Sequence, residues 1–274
     1  MPKSKLPHSN YILLDYDGFV CKSFYAALSS ELSATQILNN LTAEAIDKAV
    51  DYFESTDIGI LPIMSGHTFK KDLYKDYKAT RKKNPDLKLY RDEIICTTPN
   101  IIVPSSLEAD DMLVMINEVL SLYGVPNIVF SDDKDLKFYT QPLFCKINLV
   151  EEIERTGDWN NIYYQMLAGD KEDNITGIPK VGFATARKLL GDKPSFQDVI
   201  KVYRDKRIPV GECLKQLTLC IPTSLGFNTE ASFMIDLVEI MLNNDYRIPN
   251  CLEVIQDGLI KYIQKEIDII YKGD

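Results

Sequence analysis

At 274 residues, the chain is long enough for one large domain or two smaller ones with a sizeable core. A composition that is 45% hydrophobic and 26% charged reads as an ordinary soluble globular protein, and no apolar run reaches the ~18 residues of a membrane span. A net charge of −9 argues at first against nucleic acid as a partner, so the placement of the acids matters more than their sum.

Six cysteines are scattered along the sequence with no close pair. That spacing suits neither a zinc site nor a disulfide framework, and free thiols in a reducing compartment are expected. The opening MPKSKLPHSN lacks the apolar centre of a signal peptide. A cytoplasmic, monomeric protein is expected.

The first element is ILLDYDGFV, residues 12–20. Tyr11 to Leu14 reads as a buried strand that runs into Asp15, Asp17 and Gly18 at a turn. A strand ending in acids is a common base for a metal site. Two enzyme classes fit the stretch: a phosphatase of the haloacid dehalogenase type, or a metal-dependent nuclease. A helix follows over Ala43–Phe53, then an apolar strand over Ile58–Met64. The next segment, HTFKKDLYKDYKATRKKNPD, is dense in lysine, arginine and tyrosine. Ser106 is placed to cap a helix over Leu107–Tyr123, whose first turns carry acids where the helix dipole favours them. NIVFS, from Asn127, is a third strand. Alternating strands and helices predict an α/β fold with a mainly parallel sheet flanked by helices, and ligands beyond the carboxyl ends of its strands. Beyond about residue 160 the pattern becomes helical, including Glu230–Asn243 and Leu252–Tyr271.

Acids cluster in the loops of this pattern. SLEADDML places Glu108, Asp110 and Asp111 at a helix start, with Glu108 and Asp111 on one face. VFSDDKDL sets Asp133 and Asp135 past a strand end, and LAGDKEDNI sets Asp170 and Asp173 three apart. Crowded carboxylates repel unless cations bind, and oxygen-only clusters suit Mg²⁺ or Mn²⁺. Setting aside the eleven acids of these motifs and of the opening strand leaves 29 acids against 31 bases. A surface of that balance does not repel phosphate. Each acidic run alone is also compatible with a solvated loop.

GIPKVGFATARKLL then brackets a short hairpin with Gly177 and Gly182 before an Ala/Leu-rich helix. Outward backbone N–H groups and a helix N-terminus together make a phosphate nest. Such a nest grips a nucleic-acid backbone without reading sequence. An ordinary helix–turn–helix packing motif would look the same.

Taken together, these residues resemble the 5′ nucleases: flap endonucleases, bacteriophage 5′–3′ exonucleases and RNases H, and the N-terminal nuclease domain of bacterial DNA polymerase I. The resemblance runs from Tyr11 to Leu190. ILLDYDGFVCKSFYA is similar to the family's first strand and helix, with Asp15 as the ligand position and Lys22, Phe24 and Ala26 on typical positions. TFKKDLYKDYKATRK resembles the arch-entry segment, with Tyr77, Lys78 and Arg81 on its basic and aromatic positions. EADD, DDKD and GDKEDNITGIPKVG match three further motifs.

The resemblance implies a nuclease core over 1–165, an arch segment over about 68–105, and a helical region over 166–274 with a helix–hairpin–helix at about 166–192. It implies phosphodiester hydrolysis with two Mg²⁺ or Mn²⁺ ions. Asp15, Glu108 and Asp110 would serve the first ion, and Asp111, Asp133, Asp135, Asp170 and Asp173 the second. Lys78 and Arg81 would meet the scissile phosphate. Lys22, Tyr77, Gly177, Ile178, Lys180, Val181 and Gly182 would join them in contacting DNA, with a monovalent cation at the hairpin. The partners implied are DNA with 5′ flaps, ends or nicks and RNA–DNA hybrids, and the small size suggests a stand-alone, phage-encoded enzyme.

One position departs from the family pattern. The second strand usually ends in an aspartate, and here the aligned residue is Ile63. Asp17 either stands in, directly or through a water, from the same face of an extended strand, or is a turn residue before Gly18. The alternatives are the phosphatase, which leaves EADD, DDKD and the glycine hairpin without a role, and a DNA-binding relative without activity.

Overall fold

A computed structural model describes residues 8–68, 70–104, 107–122, 124–133, 136, 144–147, 160–208 and 216. The chain divides into two compact units. The described residues of the first lie within Met1–His67 and Lys83–Gly157, and those of the second within Thr68–Lys82 and Asp158–Asn228.

The first unit is built on a parallel sheet. Strand β1, Asn10–Asp15, is apolar and buried along almost its whole length, as a central strand covered on both faces must be. It pairs in parallel with β2, Ile58–Ile63, on one side and with β3, Asn127–Phe130, on the other. The short β4, Phe144–Cys145, extends the sheet beside β3, giving the order β2-β1-β3-β4. The strand order reverses about β1, so the carboxyl ends of β1 and β3 open a crevice of the kind in which α/β proteins place their ligands.

Between β1 and β2 the chain makes α1, Tyr16–Ala27, and α2, Ala34–Phe53. Ile12 and Leu14 of β1 and Ile128 and Phe130 of β3 share one core with Phe19 and Val20 of α1 and Leu38, Ala45 and Ala49 of α2. Leu13 and Val129 alternate to the opposite face, and α5, Ala109–Leu122, packs against β1 and β3. A buried amide pair assists: Asn117 Nδ2 donates to Asn127 Oδ1 at 2.6 Å, tying α5 to the first residue of β3. Helix α4, Pro85–Thr97, is capped by Asn84 and packs on α1 through Ile94, Tyr90 and Leu87.

In the second unit, α3, Lys70–Leu73, precedes a series of turns. Helix α6, Asn160–Ala168, leads into a two-rung antiparallel hairpin, β5 at Gly169–Asp170 and β6 at Ile175–Thr176. Helices α7, Phe183–Leu190, and α8, Phe196–Asp205, come next. Tyr203 Oη donates to Met166 O at 2.8 Å, fastening α8 to α6, and Tyr164 Oη donates to Gly191 O at 2.6 Å, fastening α6 to the C-cap of α7. At Gly169 the backbone has φ +75°, and a Cβ there would stand 2.3 Å from Gly177 N. Only glycine fits that crossing.

The α/β class and parallel sheet match the sequence reading, with instructive differences. DYDG is helix rather than turn: Asp15 is the N-cap of α1, and Asp17 lies in its first turn. The extended geometry expected for Asp15 and Asp17 therefore does not exist. Helix α2 begins nine residues earlier than its apolar pattern, because Ser33 and Gln36 form a reciprocal capping box. Ser106, Glu230–Asn243 and Leu252–Tyr271 lie outside the described residues.

The loop after β2 is closely held. Met64 N donates to Ile102 O at 2.9 Å and Gly66 N to Leu107 O at 3.1 Å. A Cβ on Gly66 would fall 1.5 Å from Pro104 O, a backbone atom that cannot rotate away. Gly66→Ala is expected to destabilise the protein by about 1–3 kcal/mol. Thermal unfolding of the pair checks this, and coincident melting curves would show that the 101–107 segment yields without cost.

Candidate active site

Asp15 ends β1, and its carboxylate is held from two directions. Gly18 N donates to Oδ1 at 3.4 Å and Ser131 Oγ donates to Oδ2 at 2.6 Å. Ser131 follows β3 directly, one rung beyond the Leu14–Phe130 pair. Its hydroxyl oxygen also accepts from Asp133 N at 3.0 Å. One buried serine thus joins the first acidic motif to the third. Burial pushes the Asp15 carboxyl up to about 7; the Ser131 hydrogen bond opposes this, and the charges of Asp17 and Asp133 add to it.

Ile63 pairs in register with Asp15 and is fully buried. Paired residues of neighbouring strands project to the same face, so an apolar side chain lies where a second carboxylate would have been expected.

Glu108, Asp110 and Asp111 gather at the start of α5. One carboxylate oxygen from each lies within 4.8 Å of the others. Glu108 is 5% exposed and Asp111 is fully buried. Local hydrogen bonds hold the group: Glu108 N donates to Asp111 Oδ2 at 3.1 Å, and Asp111 N to Asp110 Oδ1 at 2.8 Å. Buried anions at this spacing need compensating charge. The donors are all carboxylate oxygen, which fits a hard divalent cation and not zinc held by nitrogen or sulfur.

Asp17 has both oxygens engaged. Oδ1 accepts from Arg91 Nε at 2.8 Å and Oδ2 from Ser65 N at 2.6 Å. Lys22 pairs with Asp132 at 2.9 Å, beside the third motif. Asp135 lies outside the described residues. Cys21 and Cys96 are exposed free thiols.

The remaining predicted residues belong to the second unit and are described there alone. Asp170 caps its own turn, accepting from Glu172 N at 2.7 Å and from Gln165 Nε2 at 2.9 Å. Asp173 gathers the basic segment: Arg81 Nη2 donates to Oδ1, Tyr77 Oη lies 3.3 Å and Lys78 Nζ 3.8 Å from Oδ2, and Lys78 N donates to Asp173 O at 2.8 Å. Tyr77 is 2% exposed, so its ring offers no face for stacking on a base. Ile178 and Val181 are buried, and their N–H groups are used internally, on Leu167 O and Ile178 O. Lys180 (φ +64°) and Gly182 are exposed. Gly177 packs against Ala168, where a Cβ would come within 2.2 Å of its carbonyl carbon.

Sequence reasoning missed Ser131, Ser65 and Arg91. Ser131 was recoverable, since the residue after β3 must face the end of β1 once the strands are paired. Nothing in the sequence distinguishes Ser65 or Arg91 from other polar residues.

Residues 10–160 match the family described as 5′–3′ exonuclease, N-terminal resolvase-like domain, and the chain belongs to that family. It is 30% identical over 213 residues to the 5′–3′ exonuclease of Buchnera aphidicola subsp. Acyrthosiphon pisum, covering 71% of this chain and 73% of that one. It is 28% identical over 207 residues to DNA polymerase I of Rhizobium leguminosarum, covering 65% of this chain. The match spans 20% of that polymerase and 25% of the one from Caldicellulosiruptor bescii. In structure it is similar to the T5 D15 protein co-crystallized with metal ions, at a TM-score of 0.60 and 13% identity, covering 93% of this chain and 99% of that one. The T5 5′-exonuclease with divalent zinc ions bound gives a TM-score of 0.57, also at 13% identity and with the same coverage of both chains. These likenesses establish a shared fold. The phosphatase reading has no footing beside this family membership and an Asp17 whose oxygens are both engaged.

Asp15 makes a pH-dependent contribution to stability. Its folded pKa is raised, so the contribution is present below the ordinary carboxylate range near 4 and is lost as pH rises through about 7. In EDTA, Asp15→Asn should therefore be more stable than the parent at pH 8, by no more than about 4 kcal/mol, and close to it at pH 4. Mg²⁺ should stabilise the parent more at pH 8 than at pH 5.5. Thermal melts across this range with and without Mg²⁺ check both; a flat difference between parent and variant would remove the assignment.

Proposed function

We propose that this chain is a structure-dependent 5′ nuclease that hydrolyses phosphodiesters of DNA with divalent metal ions. The observation that carries the reading is the Glu108–Asp110–Asp111 cluster at the start of α5, in the unit where Asp15 closes the central strand. The substrate class is DNA bearing a 5′ flap, nick or free end, with RNA–DNA hybrids included. Two names support this direction: the Buchnera relative is a 5′–3′ exonuclease, and a bacteriophage T5 D15 flap endonuclease of similar fold was captured in a pseudo-enzyme–product complex with DNA and metal ions.

Asp15, Glu108 and Asp110 would hold one ion, and Asp111 and Asp133 would contribute to a second. Asp135, Asp170 and Asp173 are assigned to the second ion by their motifs alone. Ions held by such carboxylates supply Lewis-acid polarisation of the phosphoryl group and a more acidic water. No protein nucleophile is required. Ser131 keeps the Asp15 carboxylate oriented. Lys78 and Arg81 are assigned to the scissile phosphate, as the cations of the basic arch segment. Asp173 compensates their charge until phosphate competes for it.

The backbone grip is assigned to the residues around Gly182. A Cβ at Gly182 would meet nothing within 4 Å, and its φ of −101° suits any residue. Among the described residues nothing demands glycine there, which supports an external partner as the reason for a missing side chain. The first N–H groups of a helix lack intrahelical acceptors. At α7 they follow Gly182 on exposed residues and are suited to phosphate. A helix–hairpin–helix, with a monovalent cation at its turn, is the motif this assignment implies.

The central test is cleavage of 5′-labelled flap, nicked, blunt and RNA–DNA substrates with Mg²⁺. Cleavage from the 5′ side is expected, with loss in EDTA. DNA binding without any cleavage would favour a non-catalytic relative. Asp170→Ala should lower turnover by several orders of magnitude while DNA affinity holds; near-normal turnover at saturating DNA would remove Asp170 from the metal set. Gly182→Val should fold normally yet bind every duplex more weakly, whatever its sequence, whereas Lys78→Ala should depress the single-turnover rate. The opposite pattern, rate for Gly182 and affinity for Lys78, would reverse the two roles.

A further inference from the structure

Asp17, Arg91 and Ser65 form a connected polar group beside the proposed metal centre. Arg91, on α4, reaches with Nε to Asp17 Oδ1 and with Nη2 to Ser65 O. Asp17 Oδ2 accepts from Ser65 N at 2.6 Å. Ser65 Oγ in turn accepts from Ala109 N at 3.0 Å, in the first turn of α5. Asp17 and Arg91 are each 28% exposed in their side chains, sheltered but not sealed. The next residue, Gly66, is wedged against Pro104. The post-β2 loop is thus pinned on one side by backbone contact and on the other by charge.

An isolated ion pair of this exposure contributes little to stability. This pair is not isolated. Its hydrogen bonds end on the N-terminus of the helix from which Asp110 and Asp111 project and which Glu108 immediately precedes. Buried Ile63 ends β2 two residues before Ser65, so that strand has no carboxylate to brace the acidic cluster directly.

We propose that Asp17 and Arg91 are positioning residues for the metal centre, acting through Ser65 on the first turn of α5. Asp17 orients Ser65, Ser65 anchors Ala109, and Arg91 compensates the Asp17 charge and closes the loop on itself through Ser65 O. Asp17 is accordingly no ligand. The inference rests on the carboxylate cluster holding divalent ions.

Mn²⁺ binding followed by electron paramagnetic resonance reads this without depending on cleavage. Asp17→Ala and Arg91→Ala should each weaken Mn²⁺ binding by about tenfold or more, the usual scale for groups that orient ligands. The double variant should be little worse than either single one, because both act through one loop. Asp17→Asn keeps an oxygen that can accept from Ser65 N, so it should fold like the parent and retain more affinity than Asp17→Ala. In single-turnover cleavage the alanine variants should lose rate, recovered in part by higher Mn²⁺, with DNA affinity unchanged. Tighter Mn²⁺ binding by Arg91→Ala would mean that the arginine merely holds a ligand back, and would overturn the proposal. So would equal losses in Asp17→Asn and Asp17→Ala, or unchanged affinity in both alanine variants. A parent that binds Mn²⁺ but cleaves no substrate would refute the nuclease reading, and the affinities would still decide this one.

Discussion

Repulsion between carboxylates is the constraint around which the first unit is organised. Asp15 and Asp133 meet at Ser131 beyond the strand ends, and Glu108, Asp110 and Asp111 gather at a helix start, with Glu108 and Asp111 buried. A fold can hold such a set only by giving each carboxylate fixed donors and by leaving room for cations. The donors are visible: Ser131 for Asp15, Glu108 N for Asp111, Asp111 N for Asp110. Parallel strands make this economical, since their carboxyl ends all open on one edge and the N-termini of the following helices bring favourable dipoles to it.

The second unit treats charge differently. Asp173 is surrounded by Arg81, Lys78 and Tyr77, so an acid assigned to the chemistry and the bases assigned to the substrate are stored together. Glycines there have separate reasons. Gly169 and Gly177 are fixed by crowding and, at Gly169, by positive φ. Among the described residues, neither constraint acts on Gly182. That contrast turns a composition-level remark about a glycine-rich hairpin into a distinction between residues that fold the protein and one that faces outward.

Much of the fold was legible because burial writes itself into sequence. The apolar run before Asp15 gave β1, and NIVF gave β3. The acids of EADD announced a helix start because anions at helix N-termini are both tolerated and useful. What failed to read was local capping. DYDG has the composition of a turn, yet Asp15 caps α1 and puts Asp17 on a helix, facing Arg91. Propensity at four residues could not decide this, because the choice is made by Phe19 and Val20 packing into the core under the sheet. Arg91 and Ser65 were illegible for a deeper reason. Their importance lies in partners 74 and 48 residues away, and single residues do not advertise such pairings.

Neither unit is a contiguous stretch of the chain. Residues 68–82 interrupt the first unit but belong with residues beyond 157. Their partners, Asp173 for Lys78 and Arg81 and Asn174 for the carbonyl of Asp76, lie almost a hundred residues later. During synthesis this basic segment emerges early and stays without its carboxylate until most of the chain has left the ribosome. The sheet of the first unit, by contrast, can begin to assemble once β3 is out. Such an interleaved order raises contact order and slows completion of the second unit. It also means that no single cut separates the two: a fragment ending near residue 157 would leave Tyr77, buried in the intact protein, without the Asp173 carboxylate that its hydroxyl meets.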